Sequence, residues 1–160
     1  MTKFASQTEV SPEKSRAEIE RNLLRYGADQ FMYGLRAEAA MIAFRAHGRN
    51  IRFILPMPRP DEQRFTHKKD HYGYPRKLGS AQAAAKWDQE IRSRWRALAL
   101  VIKAKLEAVE SGIAEFEDEF LAHVVLPNGQ TMGDHARPLI ARAYESGTMP
   151  PLLPHLSPEQ

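Results

Sequence analysis

Basic and aromatic side chains crowd into one stretch of the chain, FTHKKDHYGYPRKLGS, which runs from Phe65 to Ser80. Ammonium and guanidinium groups hold phosphates and aromatic rings stack on bases, which together are the requirements of single-strand binding. The stretch therefore predicts a nucleic-acid-binding segment, with a plain polar connector as the alternative. Its candidate binding residues are Lys68, Lys69, Tyr72, Tyr74, Arg76 and Lys77.

Further basic residues lie on the elements expected to flank this stretch. Arg45 and Arg52 are predicted to face each other across a hairpin, where like charges are unfavourable unless an anion or an acidic residue neutralises them. The helical pattern after residue 80 places three more cations within about 40° of each other at 100° per residue. These are Arg92, Arg96 and Lys103. Together the three sets predict a groove for nucleic acid, although arginines on a helix flank are often simply solvated.

Metal and catalytic chemistry receives less support from the sequence. His67 and His71 flank Asp70 at a spacing that suits a metal site on a helix, but Gly73 and Pro75 favour a loop there. The acidic run EFEDEF is typical of a solvated helix face, with Mg²⁺ or Ca²⁺ binding as the alternative. The chain has no cysteine, no G-x-S-x-G elbow, no Gly-rich phosphate loop and no H-E-x-x-H. We expect no catalytic residues, no metal and no cofactor.

Charge is distributed unevenly along the 160 residues. Between residues 36 and 105 there are sixteen Lys and Arg against six Asp and Glu, and between 106 and 123 there are six acids and no Lys or Arg. Such asymmetry indicates either a polyanion site or charge-paired self-association. The sequence contains neither a run of about 18 apolar residues nor a signal-peptide core, so we expect a cytoplasmic protein without membrane contact.

The elements that must position these residues follow from periodicity and from capping residues, and they predict an α+β fold. SPEKSRAEIERNLLRYG predicts an N-terminal helix capped by Ser11 and ended by Gly27. ADQFMYGL, AAMIAFRAH and NIRFILP alternate apolar residues and predict a three-stranded antiparallel β-meander. Reading Gly48-Arg49 as a type II′ turn pairs Ala46 with Ile51, Phe44 with Phe53 and Ile42 with Leu55.

The second half of the domain is predicted to be helical. An apolar stripe that includes Trp87 and Trp95 runs from about 81 to 124, which predicts a long amphipathic helix. We expect it to break at Ser111-Gly112, with a bent single helix as the alternative. A short helix over about 132 to 146, capped by Thr131, completes a single domain spanning residues 11 to 147. Residues 1 to 10 are expected to be disordered and 148 to 160 to form an extended tail.

Three runs carry a resemblance to known proteins: SPEKSRAEIERNLLRYGADQFMYG, RWRALALVIKAKLEAVESGI and FLAHVVLPNGQTMGDHARPLIARAYESGTMPPLLP. They resemble small uncharacterised proteins encoded by phages and prophages. This resemblance covers most of the chain and implies a phage or prophage setting, but no activity. The predicted layout is also similar to that of phage single-strand annealing proteins, a likeness of topology alone.

Three functional hypotheses result. The first is a non-enzymatic protein that binds single-stranded DNA in DNA metabolism or recombination. The second is a protein-interaction module, either a homodimer formed through the 81 to 124 helix or an inhibitor of a host factor. The third is a metal-dependent nuclease that uses His67, Asp70 and His71.

Overall fold

A computed structural model of the protein describes residues 5–149. In chain order the elements are α1 (Pro12–Arg25), β1 (Gln30–Arg36), β2 (Ala39–Ala46), β3 (Arg49–Pro56), α2 (Gln63–Thr66), β4 (His67–Lys69), β5 (Pro75–Lys77), α3 (Ser80–Glu110), α4 (Phe116–Phe120) and α5 (Met132–Ser146). A 3₁₀ turn follows α4 over Leu121–His123. The predicted α+β fold is confirmed.

Helix boundaries follow the local sequence signals. The Ser11 hydroxyl accepts a hydrogen bond from the Lys14 amide at the start of α1, and Gly27 takes a positive φ of 89° just after its end. The Thr131 hydroxyl caps α5 in the same way by accepting from the Asp134 amide, and Gly147 ends that helix with φ 68°. Pro138 lies inside α5 without ending it.

The long helical pattern is broken at the predicted position. α3 stops at Glu110, and Gly112 adopts φ 70°, a left-handed conformation that a helix cannot contain. Since α4 begins only at Phe116, the chain turns and brings Phe116 and Phe120 back against the sheet. The break therefore allows one apolar stripe to cover a compact core.

The sheet has the order β1-β2-β3 with antiparallel neighbours, but the predicted hairpin register was wrong by two residues. Its turn is His47-Gly48, with φ of 51° and 72°, as a type I′ turn requires, and not Gly48-Arg49. Phe44 therefore faces Ile51, and Ile42 faces Phe53. A shift of two residues leaves every side chain on its predicted face, so the core residues are unchanged.

The core lies between one face of the sheet and the helices α1, α3 and α4. Ile19 of α1 and Ile102 of α3 are fully buried together with Ile51 and Phe120. Trp95 is 2% exposed, which agrees with its interpretation as a core residue. The apolar stripe of α3 is thus buried against the sheet of its own chain.

The segment between β3 and α3 is more structured than the sequence predicted. Trp87 Nε1 donates to the Pro58 carbonyl at 2.8 Å, and Phe65 of α2 is buried where that helix packs against α3. The following residues form the two-stranded antiparallel sheet β4–β5. This segment was interpreted as a linker because strands of three residues are too short to show an alternating pattern.

The two ends of the chain are described in part. Residues 5–7 form a turn, and the carbonyls of Ser6 and Thr8 accept hydrogen bonds from Gln89 Nε2 at 3.1 and 2.9 Å. The expected tail beyond Met149 lies outside the described residues. Within residues 5–149, no helix combines the length and apolar character needed to cross a membrane.

Candidate nucleic-acid interface

The basic stretch identified in the sequence is a β-hairpin fixed at its base. Phe65 anchors its start in the protein, and the Leu78 amide donates to the Thr66 carbonyl at 2.8 Å where the two strands leave the domain. The main contacts of β4 and β5 are with each other and, for β4, with α2. The hairpin therefore stands out from the domain as a short two-stranded ribbon, which we call the basic ribbon (residues 67–77).

The turn of the basic ribbon is built by Asp70. Its Oδ1 accepts hydrogen bonds from the amides of Tyr72 and Tyr74, each at 2.9 Å, while its own amide donates to the Tyr74 carbonyl at 2.8 Å. Gly73 supplies the positive φ of 88°. Asp at the first position and Gly at the fourth are favoured in type I turns, a signal that would have revealed this hairpin in the sequence.

Like charges face each other across the basic ribbon. Lys68 is paired directly with Arg76. None of the four cations on the ribbon, Lys68, Lys69, Arg76 and Lys77, forms an ion pair with any residue in the described part of the chain. Two cations facing each other across strands repel unless a counter-charge is present. Binding of an anion would therefore relieve this repulsion.

Two aromatic rings extend from the tip of the ribbon. Tyr72 is 80% exposed and Tyr74 70% exposed. Exposed rings of this size are free to stack on planar ligands. The ribbon thus combines four unpaired cations with two stacking platforms within one small element.

Arg45 and Arg52 are placed differently from the prediction. The corrected register puts Arg45 opposite Asn50 and Arg52 opposite Ala43, so the two arginines are diagonal neighbours and do not face each other. Arg45 binds both carboxylate oxygens of Asp29, at distances down to 2.6 Å, and this hydrogen bonding lowers the pKa of Asp29. The Arg45 charge is therefore already neutralised by the acidic partner that the sequence left as an alternative.

Arg52 is used to hold a neighbouring loop. Its Nη2 donates to the Gly129 carbonyl at 2.8 Å, and its Nε is buried without a hydrogen-bond partner in the described structure. Both arginines alternate with the core residues of their strands, so they lie on the sheet face away from α3. They consequently do not share one groove with the cations of α3.

The three cations of α3 differ among themselves. Arg96 forms an ion pair with Glu18 of α1, and Arg92 Nε donates to Gln89 at 3.3 Å. Lys103 is exposed and forms no ion pair with the described residues. Arg96 is therefore best explained as a link between two helices, whereas Arg92 and Lys103 form no ion pair with the described residues.

Two of the six acids between residues 106 and 123 form ion pairs within the described chain. Glu117 forms an ion pair with Arg49 at 2.6 Å, and Lys105 Nζ binds the Glu119 carboxylate at 2.8 Å. These contacts tie α4 to the start of β3 and to α3. No acid of this block forms an ion pair with the basic ribbon in the described structure.

The structure gives no support to a metal site. Asp70 is occupied by backbone amides, and among residues 5–149 no group of three or more His, Asp or Glu side chains is arranged to hold a metal ion. No protein-family model matches the chain, and no curated protein or solved structure is significantly similar to it. Inferences about function therefore depend on the residues themselves.

Proposed function

We propose that the protein is a non-enzymatic nucleic-acid-binding protein that holds single-stranded DNA with its basic ribbon. The observation that carries this proposal is the cross-strand pair Lys68 and Arg76, two cations held opposite each other, neither of which forms an ion pair in the described structure. A strand of phosphates would supply the missing counter-charges along both edges of the ribbon. The proposed setting is the cytoplasm, in phage or prophage DNA metabolism or recombination.

The exposed tyrosines favour single strands over duplexes as the ligand. Unpaired bases present their faces for stacking, which contributes about 1–3 kcal/mol per base, whereas bases inside a duplex are already stacked. Tyr72 and Tyr74 lie next to the cations, so phosphate contacts and stacking would act on neighbouring nucleotides. Lys103 on α3 is a further candidate for a phosphate contact.

The other two hypotheses find less support. Pairing through the 81 to 124 helix would need an exposed apolar stripe, but Leu98, Ile102 and Leu106 are buried in the core of their own chain. A nuclease using His67, Asp70 and His71 would need these side chains grouped around a metal ion, and no such group of three occurs among residues 5–149, where Oδ1 of Asp70 is engaged in the turn. Neither alternative accounts for the unpaired cations of the ribbon.

Fluorescence anisotropy with labelled single-stranded DNA, duplex DNA and RNA at about 100 mM salt tests the proposal. Single-stranded DNA should bind most tightly, and four phosphate contacts predict a slope of about −2.8 for log K against log salt. The double variant Lys68→Glu/Arg76→Glu should lose at least tenfold in affinity.

A matched control is Arg21→Glu/Arg142→Glu, which changes the net charge equally at two exposed arginines without ion pairs in the described structure. We expect the control to bind almost as well as the unaltered protein. If both variants lost affinity equally, the loss would be explained by net charge, and the ribbon would be rejected as the binding site. If the protein bound none of the three nucleic acids, the proposed function would be rejected.

A further inference from the structure

Strand β1 forms an uncovered edge of the three-stranded sheet. The opposite edge, β3, is partly paired, since Ile51 bridges to Val124 and the Val125 amide donates to the Asn50 carbonyl at 2.8 Å. No strand among residues 5–149 pairs with the outer side of β1. This seven-residue edge strand therefore presents the outward-pointing backbone donors and acceptors of its alternate residues, which can pair with another strand.

Apolar side chains are exposed along the same strand. Leu35 is 64% exposed, although it alternates with Phe31 and Tyr33 on the face that packs against the helices. Met32, on the other face, is 56% exposed. The helical layer thus stops short of this corner of the sheet and leaves a core-side leucine uncovered.

We propose that the edge pairs with β1 of a second copy of the chain, antiparallel and centred on Tyr33. In that register Phe31 faces Leu35 of the second copy, which covers the exposed leucine with an aromatic ring. Met32 faces Gly34 of the second copy, where it would meet the side chain of Met41, whose Cε lies 3.4 Å from the position of a Cβ on Gly34. The two three-stranded sheets join into one of six strands.

Charge on the strand is compatible with this pairing. In this register Arg36 of each copy faces the neutral Gln30 of the other, next to Asp29, which binds Arg45 of its own chain. Arg36 forms no ion pair with the described residues of its own chain. No like charges face each other within the paired strands, and the self-complementary pattern is the reason for choosing a second copy as the occupant. This inference is independent of nucleic-acid binding.

Light scattering coupled to size exclusion on the full chain tests the pairing. At about 100 μM protein the mass should be twice the 18.2 kDa of the chain. Leu35→Arg should raise the dissociation constant at least tenfold, whereas Leu121→Arg, at a residue 50% exposed on the 3₁₀ turn, should leave it unchanged. Circular dichroism confirms that both variants are folded. A monomer at 100 μM, or a dimer insensitive to Leu35→Arg, overturns the proposal.

Cysteine cross-linking tests the register, since the chain contains no cysteine. Directly opposed residues have Cβ atoms about 4.5–5.5 Å apart, at the edge of disulfide reach. The double variant Met32→Cys/Gly34→Cys should therefore cross-link two copies on oxidation, and Met32→Cys alone should not. Cross-linking of the single variant would place the two-fold axis at residue 32, and no cross-link in a dimeric double variant would place the interface elsewhere. Both results contradict the pairing.

Discussion

The single substitution Lys68→Glu should stabilise the basic ribbon while weakening its binding to DNA. In the free protein Lys68 faces Arg76 and neither forms an ion pair with a described residue, so the substitution turns a repulsive pair into an attractive one. The same change removes one phosphate contact and places a carboxylate beside the DNA backbone. If the ribbon binds an anionic ligand, the same substitution should therefore raise the stability of the free ribbon and lower its affinity for DNA.

The expected gain in stability is small and can be worked from the pairing geometry. Cross-strand charge pairs contribute about 0.2–1 kcal/mol, and both side chains are exposed, which favours the lower part of that range. A gain of about 0.5 kcal/mol in the opening free energy slows amide exchange about twofold. At about 1 M salt the Debye length falls to about 3 Å, so most of the gain should vanish.

Hydrogen exchange measured by NMR can detect this effect at the amide of Asp70, which donates to the Tyr74 carbonyl within the ribbon. Lys69→Glu is the matched control, because it changes the same net charge in the same strand but Lys69 faces Pro75 and not a cation. Both variants should weaken DNA binding, and only Lys68→Glu should slow exchange. Faster exchange in Lys68→Glu, or equal slowing in both variants, would refute the reasoning.

Two further predictions concern the domain that carries the ribbon. Burial, and then the charge of Lys105, lower the pKa of His123 below 6.5, so the unfolded chain takes up the proton first. The free energy of unfolding, measured in urea, should therefore be fully maintained above about pH 6.5 and should fall as the pH drops below that value. In His123→Gln, which lacks the titrating imidazole, the fall should be less steep. Ile102→Ala should lower the free energy of unfolding by about 2–5 kcal/mol because Ile102 is fully buried, whereas the neighbouring Val101→Ala, at a residue 46% exposed, should change it little. A similar loss in both variants would contradict the assignment of the α3 face that packs on the sheet.

Much of the fold could be predicted from the sequence because its signals are local. Ser11 and Thr131 marked the starts of two helices, and Gly112 marked the break in the long one, because capping hydroxyls and left-handed backbone are properties of a few adjacent residues. Alternation likewise assigned the core face of each strand correctly. These assignments survived the register error because a shift of two residues preserves the face.

The residues of the candidate site were also partly readable. The cations and tyrosines of the ribbon stood out by type and density, but their arrangement as a hairpin did not, since three-residue strands carry no periodic signal. Asp70 was read as a metal-ligand candidate, whereas it shapes the turn. Its spacing from Gly73 was the one local signal of that role.

Which cations remain free was decided only by the tertiary structure. The sequence by itself determined that the middle of the chain is basic and that the block after it is acidic. Folding then paired Arg45 with Asp29, Arg96 with Glu18, and Glu117 and Glu119 of α4 with Arg49 and Lys105. It left the cations of the ribbon without an ion pair among the described residues. Ion pairs join residues that are distant in the chain, so no local pattern records which charges will be neutralised and which will face a ligand.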